Sequence, residues 1–268
     1  MKNESAGFSK LERFELKYTI PFDMIEPISR FCEPYCVYDK HSEKSSDGFY
    51  EINNLYFDSP GFYLLRQRMS DAERRFNLRV RSYGHNAKLP YHLEVKEKTG
   101  NIVRKFRSTV HSKDWWKIFY QPGFIPDSSM DDKSLANLRL FERLATALSA
   151  EQKILTSYRR KALVSTVDQY ARVTFDTELR YQEPDYKFVV SPDYKMMHSY
   201  DFETIFDPFA SVVLELKCNA PQVPVWMVDL VRYFELHRRG FSKYMNGVTT
   251  MLGGLQSIDS SFENRYDI

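Results

Sequence analysis

Apolar and polar residues alternate along much of the chain, and a period of two predicts β-strands that bury one face. In YHLEVKEK at 91–98, Leu93 and Val95 lie on one face of such a strand and a Glu-Lys-Lys row lies on the other. Seven further segments are predicted as strands: ERFELKYTI at 12–20, YEINNLYFD at 50–58, FNLRVRSYG at 76–84, IVRKFRSTV at 102–110, SYRRKALVST at 157–166, ARVTFDTELRY at 171–181 and SVVLELKCN at 211–219.

Apolar residues at helical spacing predict helices between these strands. A short helix follows Pro21, a helical turn opens at Ser59-Pro60, an amphipathic helix extends over 132–153, and a last helix begins near Pro224. Strands outnumber helices and largely follow one another directly. The sequence therefore predicts an α+β fold, an antiparallel sheet or barrel with helices packed on the outside, in preference to a βαβ array.

Composition indicates a folded protein, with 43% hydrophobic and 15% aromatic residues among 268. No linker divides the chain, so we expect a single domain over 1–268 with a core at about 11–252. The net charge of +2 gives no overall attraction for nucleic acid or an anionic membrane. Three cysteines are too few for a disulfide framework, and no stretch predicts a membrane segment. We expect a cytoplasmic protein, while its oligomeric state stays open.

Charged residues recur on one face of strand after strand. The repeated positions are Glu15 and Lys17, Arg79 and Arg81, Glu94, Lys96 and Lys98, Glu215 and Lys217, and the series Arg172, Thr174, Asp176 and Glu178. A single strand of this kind is ordinarily half-buried with its polar face in water. A solvated sheet would also tolerate Ser, Thr, Asn or Gln there, so the repetition favours a barrel with its charged faces inward. Because isolated buried charges are costly, such an interior is a water-filled tunnel.

Converging cations indicate what the tunnel holds. Close Lys and Arg side chains repel by about 1 to 4 kcal/mol per pair, depending on the effective dielectric constant, unless an anion lies between them. A phosphate chain fits, because Arg grips phosphate oxygens bidentately and Lys supplies point charges. Carboxylates in the same tunnel repel phosphate unless a divalent cation such as Mg²⁺ joins the two.

Six motifs in order resemble the catalytic domain of the vacuolar transporter chaperone (VTC) polyphosphate polymerases, which belong to the triphosphate tunnel metalloenzymes. They are RFELKY at 13–18, LRVR at 78–81, LEVK at 93–96, TFDTEL at 174–179, LELK at 214–217 and GFSKY at 240–244. The resemblance covers roughly residues 11–252. It implies an eight-stranded antiparallel β-barrel, the triphosphate tunnel, that binds a nucleotide triphosphate or polyphosphate together with Mg²⁺ or Mn²⁺.

The resemblance also implies roles for individual residues. Phosphate ligands in the catalytic site would be Lys17, Arg79, Arg81, Lys96, Arg160 and Lys243. Substrate-binding residues would be Tyr158 and Ser242. The charge pattern adds Lys98 and Lys217, and Arg239 is added because it lies beside the Ser242-Lys243 motif. Glu215 is the best match to a metal ligand, followed by Glu94 and Glu178. One departure matters: Arg13 occupies the first Glu position of the E-x-E-x-K strand that opens the related CYTH branch of cyclases and triphosphatases, which favours the polymerase branch.

The leading hypothesis is therefore a metal-dependent ATP:polyphosphate phosphotransferase, which moves the γ-phosphate of ATP onto a growing chain. Phosphoryl transfer mostly needs positioning and charge neutralisation, so Arg and Lys clamps with a metal suffice. Two alternatives stay open, a metal-dependent triphosphatase of the same fold and a non-catalytic polyphosphate- or nucleotide-binding module. Nucleic acid is not expected as a partner, because Glu interrupts the basic residues.

Overall fold

The computed structural model describes residues 13–100, 102–201, 209, 211–219 and 222–253. Within these residues the main element is an antiparallel sheet of ten strands. The strands are β1 (Arg13–Ile20), β2 (Cys36–Tyr38), β3 (Tyr50–Asp58), β4 (Arg74–Tyr83), β5 (Lys88–Thr99), β6 (Ile102–Val110), β7 (Glu151–Ser165), β8 (Ala171–Gln182), β9 (His198–Ser199) and β10 (Val212–Asn219). Each of the eight longer strands overlaps one of the eight predicted segments, and β7 begins six residues before its predicted segment. The mostly antiparallel sheet is confirmed.

The described part of the chain also contains five α-helices and two 3₁₀ helices. The α-helices are α1 (Ile25–Cys32), α2 (Tyr63–Met69), α3 (Asp132–Ala147), α4 (Val225–Tyr233) and α5 (Lys243–Met251), and the 3₁₀ helices are Phe22–Met24 and Lys113–Phe119. Helix α5 was not predicted. Among these helices, none has both the length and the apolar character needed to cross a bilayer.

Helix α3 ends earlier than the predicted boundary at 153. Ser149 adopts a left-handed conformation with φ of 47°, and the amide of Ala150 donates to the carbonyl of Ala145 at 2.8 Å. The Ser149 amide donates to Thr146 at 3.0 Å, which completes a Schellman motif. The chain therefore turns here, and residues from Glu151 onward join β7.

The predicted closure of the sheet into an eight-stranded barrel is wrong. The strand order is β1-β10-β8-β7-β3-β4-β5-β6, with β2 added beside β7 and β9 beside β8. Among the described residues no backbone ladder joins β1 to β6, so these strands are the two ends of the path. The ends still contact each other, and Lys96 of β5 reaches Glu15 of β1 at 2.6 Å. Side chains, and not backbone hydrogen bonds, therefore bridge the gap.

Three hydrophobic clusters hold the helices on the sheet. Helices α1 and α4 pack on β1, β8 and β10 through residues such as Ile28 and Leu230. Helix α3 and the second 3₁₀ helix cover β3 to β6 through Phe141 and Trp115. Helix α5 differs, because Tyr244 packs with side chains from the charged face of the sheet, and Tyr56 stacks on it at 5.2 Å. One helix therefore lies on the inner face, contrary to the prediction that all helices pack outside.

Candidate functional site

The charged face of the sheet surrounds an open cavity of about 1860 Å³. Alternation along each strand places the charged side chains on the face that surrounds the cavity. The antiparallel register then places Lys17 beside Glu215 on β1 and β10, and Arg79 beside Glu94 on β4 and β5. All the predicted phosphate and substrate ligands and one predicted metal ligand line this cavity: Lys17, Arg79, Arg81, Lys96, Lys98, Tyr158, Arg160, Lys217, Arg239, Ser242, Lys243 and Glu215. The remaining predicted ligands, Glu94 and Glu178, do not line it.

Glu215 on β10 is a buried carboxylate surrounded by cations. Lys17 lies 3.3 Å from it, Arg160 3.5 Å and Lys243 3.9 Å, and Lys217 forms a further ion pair. Burial raises the pKa of Glu215, but attraction from these cations outweighs burial and holds that pKa well below its ordinary value. Burial lowers the pKa of Lys217 to about 8 in spite of Glu215.

Asp176 on β8 anchors a second group of cations. Its carboxylate is fully buried and accepts two hydrogen bonds from the Arg160 guanidinium, at 2.6 and 2.7 Å. Lys243, the first residue of α5, lies 2.5 Å from the same carboxylate. Burial opposes the charge on Asp176, but Arg160 and Lys243 hold its pKa below the ordinary value. Asp176 therefore fixes two predicted phosphate ligands, although sequence reasoning did not select it.

Glu94 on β5 lies at the centre of a third group. Arg79 binds it at 2.8 Å, Lys105 at 2.6 Å and Arg107 at 2.7 Å, and Arg81 lies at 4.0 Å. Burial raises the pKa of Glu94, and the cations hold it well below its ordinary value. The strand alternation could have found Lys105 and Arg107, because they flank the apolar Phe106 on β6.

Neutral groups orient two arginines of β4. Arg79 donates to the hydroxyl of Tyr56 at 3.2 Å. Arg81 donates to the amide oxygen of Asn54 at 2.8 Å and to the hydroxyl of Tyr158 at 3.3 Å. Since Asn54 and both tyrosines have no charge of their own, they position these guanidinium groups without reducing the positive charge of the cavity wall.

Lys96 of β5 and Glu15 of β1 form an ion pair that reaches across the gap between β1 and β6. Burial raises the pKa of Glu15, but Lys96, Lys217 and Lys17 outweigh it and hold that pKa at about 2. Glu15 therefore carries a negative charge at neutral pH. It lines the cavity, so it is a candidate ligand that the charge pattern contained but that was not selected.

One end of the cavity is basic. Lys98 lies there near Arg75 and Arg68, and burial together with their repulsion lowers its pKa. Ser242 accepts a hydrogen bond from the amide of Met245 at 3.3 Å, so it is the N-cap of α5 and fixes where Lys243 enters the cavity. Next to it, the amide of Arg239 donates to the carbonyl of Lys17 at 3.1 Å.

Another part of the cavity is aromatic. His41 stacks on Tyr83 at 5.0 Å and contacts Tyr50 at 4.9 Å, while His92 meets Tyr83 edge-on at 5.5 Å. Burial and the nearby Arg107 lower the pKa of His92 to about 4, so its imidazole is neutral at pH 7. These rings line the cavity with the cations.

Glu178 lies apart from these groups. It has φ of 51° and pairs with Arg159 at 3.1 Å and Arg180 at 3.3 Å, with 41% of its side chain exposed. The register between β7 and β8 shifts between Ser157 and Arg159, just where this residue lies. The irregularity turns Glu178 away from the face that holds Asp176, so its position does not support the predicted metal contact.

The described geometry agrees with a family match that covers most of the chain. The VTC domain family matches residues 12–252. The chain belongs to the VTC domain family. One curated VTC relative is the vacuolar transporter chaperone complex subunit 4 of Trypanosoma brucei brucei, with 24% identity over 260 residues. The match covers 85% of this chain but only 31% of that protein.

Two solved structures align with most of this VTC domain. A putative adenylate cyclase from Bacillus halodurans aligns with a TM-score of 0.46 and 12% identity, over 86% of this chain and 94% of that one. A putative adenylate cyclase from Vibrio parahaemolyticus aligns with a TM-score of 0.43 and 10% identity, over 88% and 97%.

The carboxylates of this VTC domain differ in how well they suit a divalent cation. Among the described residues, no group of three or more His, Cys, Asp or Glu side chains is assembled as a metal site. Glu15 and Glu215 nevertheless line the cavity from neighbouring strands and influence each other's charge. Mg²⁺ and Mn²⁺ prefer oxygen ligands, and Mg²⁺ in particular often takes one or two carboxylates plus phosphate oxygens and water. This carboxylate pair therefore offers ligands of the kind that such an ion takes. Cations pair with both oxygens of Glu215, as they do with both oxygens of Glu94, but only Glu215 of these two lines the cavity.

Proposed function

We propose that this chain is a metal-dependent ATP:polyphosphate phosphotransferase, which transfers the γ-phosphate of ATP to an inorganic polyphosphate chain in the cavity. Membership of the VTC domain family supports this proposal, and so does a relative named as subunit 4 of a vacuolar transporter chaperone complex. Because the chain spans about a third of that relative, the activity and the partners of the whole protein stay proposals.

The observation that carries the proposal is the charge of the cavity wall. Among the described residues, nineteen lysines and arginines line it, against three acidic residues, Glu15, Asp39 and Glu215. The whole chain has a net charge of only +2, so the fold has concentrated the positive charge in one place. A wall of this kind attracts polyanions strongly. The volume also exceeds the roughly 300 to 1,000 Å³ of an ordinary small-molecule pocket, which leaves room for a nucleotide and a phosphate chain together.

The residues of the chain supply most of what phosphoryl transfer needs. Arg79 and Arg81 present guanidinium groups held in place by Tyr56, Asn54 and Tyr158, and such forks grip phosphate oxygens bidentately. Lys17 and Lys243 supply point charges from the opposite wall. Pre-oriented donors of this kind stabilise the charge that develops on the transferred phosphoryl group.

Glu15 and Glu215 would hold the divalent cation. When bound, Mg²⁺ or Mn²⁺ would neutralise phosphate oxygens and reduce their repulsion from these carboxylates. The chain's own contribution is to keep both carboxylates ionised, which the surrounding lysines do by lowering their pKa values.

Incubation of the purified protein with ATP and Mn²⁺ tests the proposal. We expect ADP and a polymer that is stained on a gel as polyphosphate. Formation of neither product contradicts the proposal. Orthophosphate without polymer would instead identify a triphosphatase, and thermal stabilisation by tripolyphosphate without turnover would identify a binding module.

A matched pair of variants ties the activity to the cavity. Arg81→Lys keeps the charge on the wall but loses the fork, so polymer formation should fall by at least about tenfold. Arg159→Lys makes the same change on a side chain that pairs with Asp47 and Glu178 outside the cavity, and it should leave activity unchanged. Equal activity in the two variants would argue against a phosphate-binding role for Arg81.

A further inference from the structure

Glu94 lies beneath the wall of the cavity and not on it. Its side chain is fully buried and does not line the cavity, whereas its partners Arg79, Lys105 and Arg107 do. The strand register produces this arrangement, because Glu94 pairs with Arg79 on one side and with Arg107 on the other. Directly opposed residues of neighbouring strands are close enough for their side chains to interact. The carboxylate therefore supports the cations from behind.

Both carboxylate oxygens of Glu94 are engaged. Oε2 accepts from Nε and Nη2 of Arg79, at 2.9 and 2.8 Å. Oε1 accepts from Nε and Nη2 of Arg107, at 2.8 and 2.7 Å, and from Lys105 at 2.6 Å. Each guanidinium has five N–H donors, so an edge bound to Glu94 leaves other donors for a ligand. Fixing one edge also fixes the plane and direction of the fork.

Two of these cations retain access to the cavity. The side chains of Lys105 and Arg107 are each 36% exposed, compared with 13% for Arg79. One carboxylate among several cations leaves the group net positive. An added anion is therefore favourable there, because it would reduce the repulsion among these cations.

We propose that Glu94 is a positioning residue that directs Lys105 and Arg107 into the cavity, where they form a further phosphate-binding position beside Arg79. This inference rests on the proposed function, because it takes the ligand of the cavity to be a phosphate chain. It assigns Glu94 a role different from that of Glu215, which lines the cavity next to another carboxylate.

Glu94→Gln tests the proposal, because a positioning role and simple charge removal would change the Kd for tripolyphosphate in opposite directions. The amide has the shape of the carboxylate but no charge, and tripolyphosphate binding is measured by calorimetry in EDTA so that no metal contributes. Removal of a negative charge would by Coulomb attraction alone tighten the binding of an anion. Loss of orientation weakens it, and we expect Kd to rise about tenfold, the effect of losing one charge-assisted hydrogen bond.

A control and a second ligand complete the experiment. Glu142→Gln makes the same change on a buried carboxylate of α3 that pairs with Arg139 at 2.7 Å away from the cavity, and it should leave Kd unchanged. Mn²⁺ binding to the protein alone is followed by electron paramagnetic resonance. Glu94→Gln should leave Mn²⁺ affinity unchanged, whereas Glu215→Gln should weaken it.

The outcomes separate this inference from the proposed function. Tighter or unchanged tripolyphosphate binding in Glu94→Gln, or weaker Mn²⁺ binding, would overturn the positioning role. A wild-type protein that binds no tripolyphosphate would contradict the proposed function itself. If Glu94→Gln does not fold, Arg107→Lys decides: it keeps the charge without the fork, so the positioning role requires a similar rise in Kd, and an unchanged Kd overturns it.

Discussion

Replacement of Asp176 by Asn should destabilise the protein strongly, because it removes the anion that two buried cations share. The carboxylate receives two hydrogen bonds from Arg160 and lies 2.5 Å from Lys243. An Asn has nearly the same shape but carries no charge. Arg160 keeps its charge at any accessible pH, so it cannot escape the loss by deprotonation.

The size of the effect follows from the neighbours that remain. Removal of one partner from a buried ion pair costs about 3 to 5 kcal/mol. Glu215 still lies 3.5 Å from Arg160 and 3.9 Å from Lys243, so partial compensation favours the lower end of this range. At about 2 to 4 °C per kcal/mol for a protein of this size, a loss of about 3 kcal/mol lowers Tm by about 6 to 12 °C.

Thermal unfolding in EDTA, without phosphate, measures the effect. The matched control is Glu178→Gln, which removes a half-exposed carboxylate two residues further along the same strand and should cost no more than about 1 kcal/mol. Tripolyphosphate should stabilise Asp176→Asn more than the wild type, because the ligand supplies the missing negative charge. A loss of Tm no larger than that of the Glu178 control would refute the reasoning.

Three further changes test other contacts. Glu15 has a pKa of about 2 against an ordinary value of 4.5, so the folded state binds fewer protons than the unfolded state between these pH values. The ionised Glu15 therefore stabilises the folded state by about 3 kcal/mol. This stabilisation is complete above pH 4.5 and is lost as the pH falls towards 2. Glu15→Gln should remove this acid dependence from the Tm profile. Lys217 has a pKa of about 8 against an ordinary value of 10.5. As the pH rises through 8, Lys217 loses its charge, so tripolyphosphate affinity should fall while the stability of the unliganded protein rises. Lys217→Arg keeps its charge and should keep the affinity. In Gly247→Ala the new Cβ would lie 2.8 Å from Cδ1 of Ile154. Overpacking costs about 1 to 3 kcal/mol and outweighs the gain in helix propensity of about 1 kcal/mol, so Tm should fall. Adding Ile154→Val removes Cδ1 and should restore the Tm.

Local periodicity made the strands and most of the cavity wall predictable. Residues such as Lys17 and Arg81 alternate strictly with apolar neighbours, so the face they share follows from the pleat alone. The choice between Asp176 and Glu178 did not follow, because the register shift beside Arg159 changes which face the later residues occupy. A pattern with a period of two cannot reveal where that period is interrupted.

Closure of the sheet and the place of α5 depend on contacts between distant parts of the chain. Whether β1 pairs with β6 depends on how far the sheet curves, and the pattern of single strands does not contain that quantity. Helix α5 is short, and Gly247 within it lowers its intrinsic helix propensity. Its position is set by tertiary packing, including the close approach of Gly247 to Ile154 and the hydrogen bond from Tyr244 to Asp58 at 2.6 Å.

We expect the internal ion pairs of the cavity to influence which anions it binds. Cations such as Lys17, Arg79 and Lys243 are already paired with carboxylates, so a ligand must replace contacts that the protein makes with itself. An anion with one or two charges engages too few cations to offset the loss of those pairs. A phosphate chain carries a charge on every unit and can engage several cations at once, including those that the carboxylates do not fully neutralise. If the proposed function holds, we expect the cavity to bind polyphosphate in preference to orthophosphate, and the carboxylates to contribute to this preference as much as the cations.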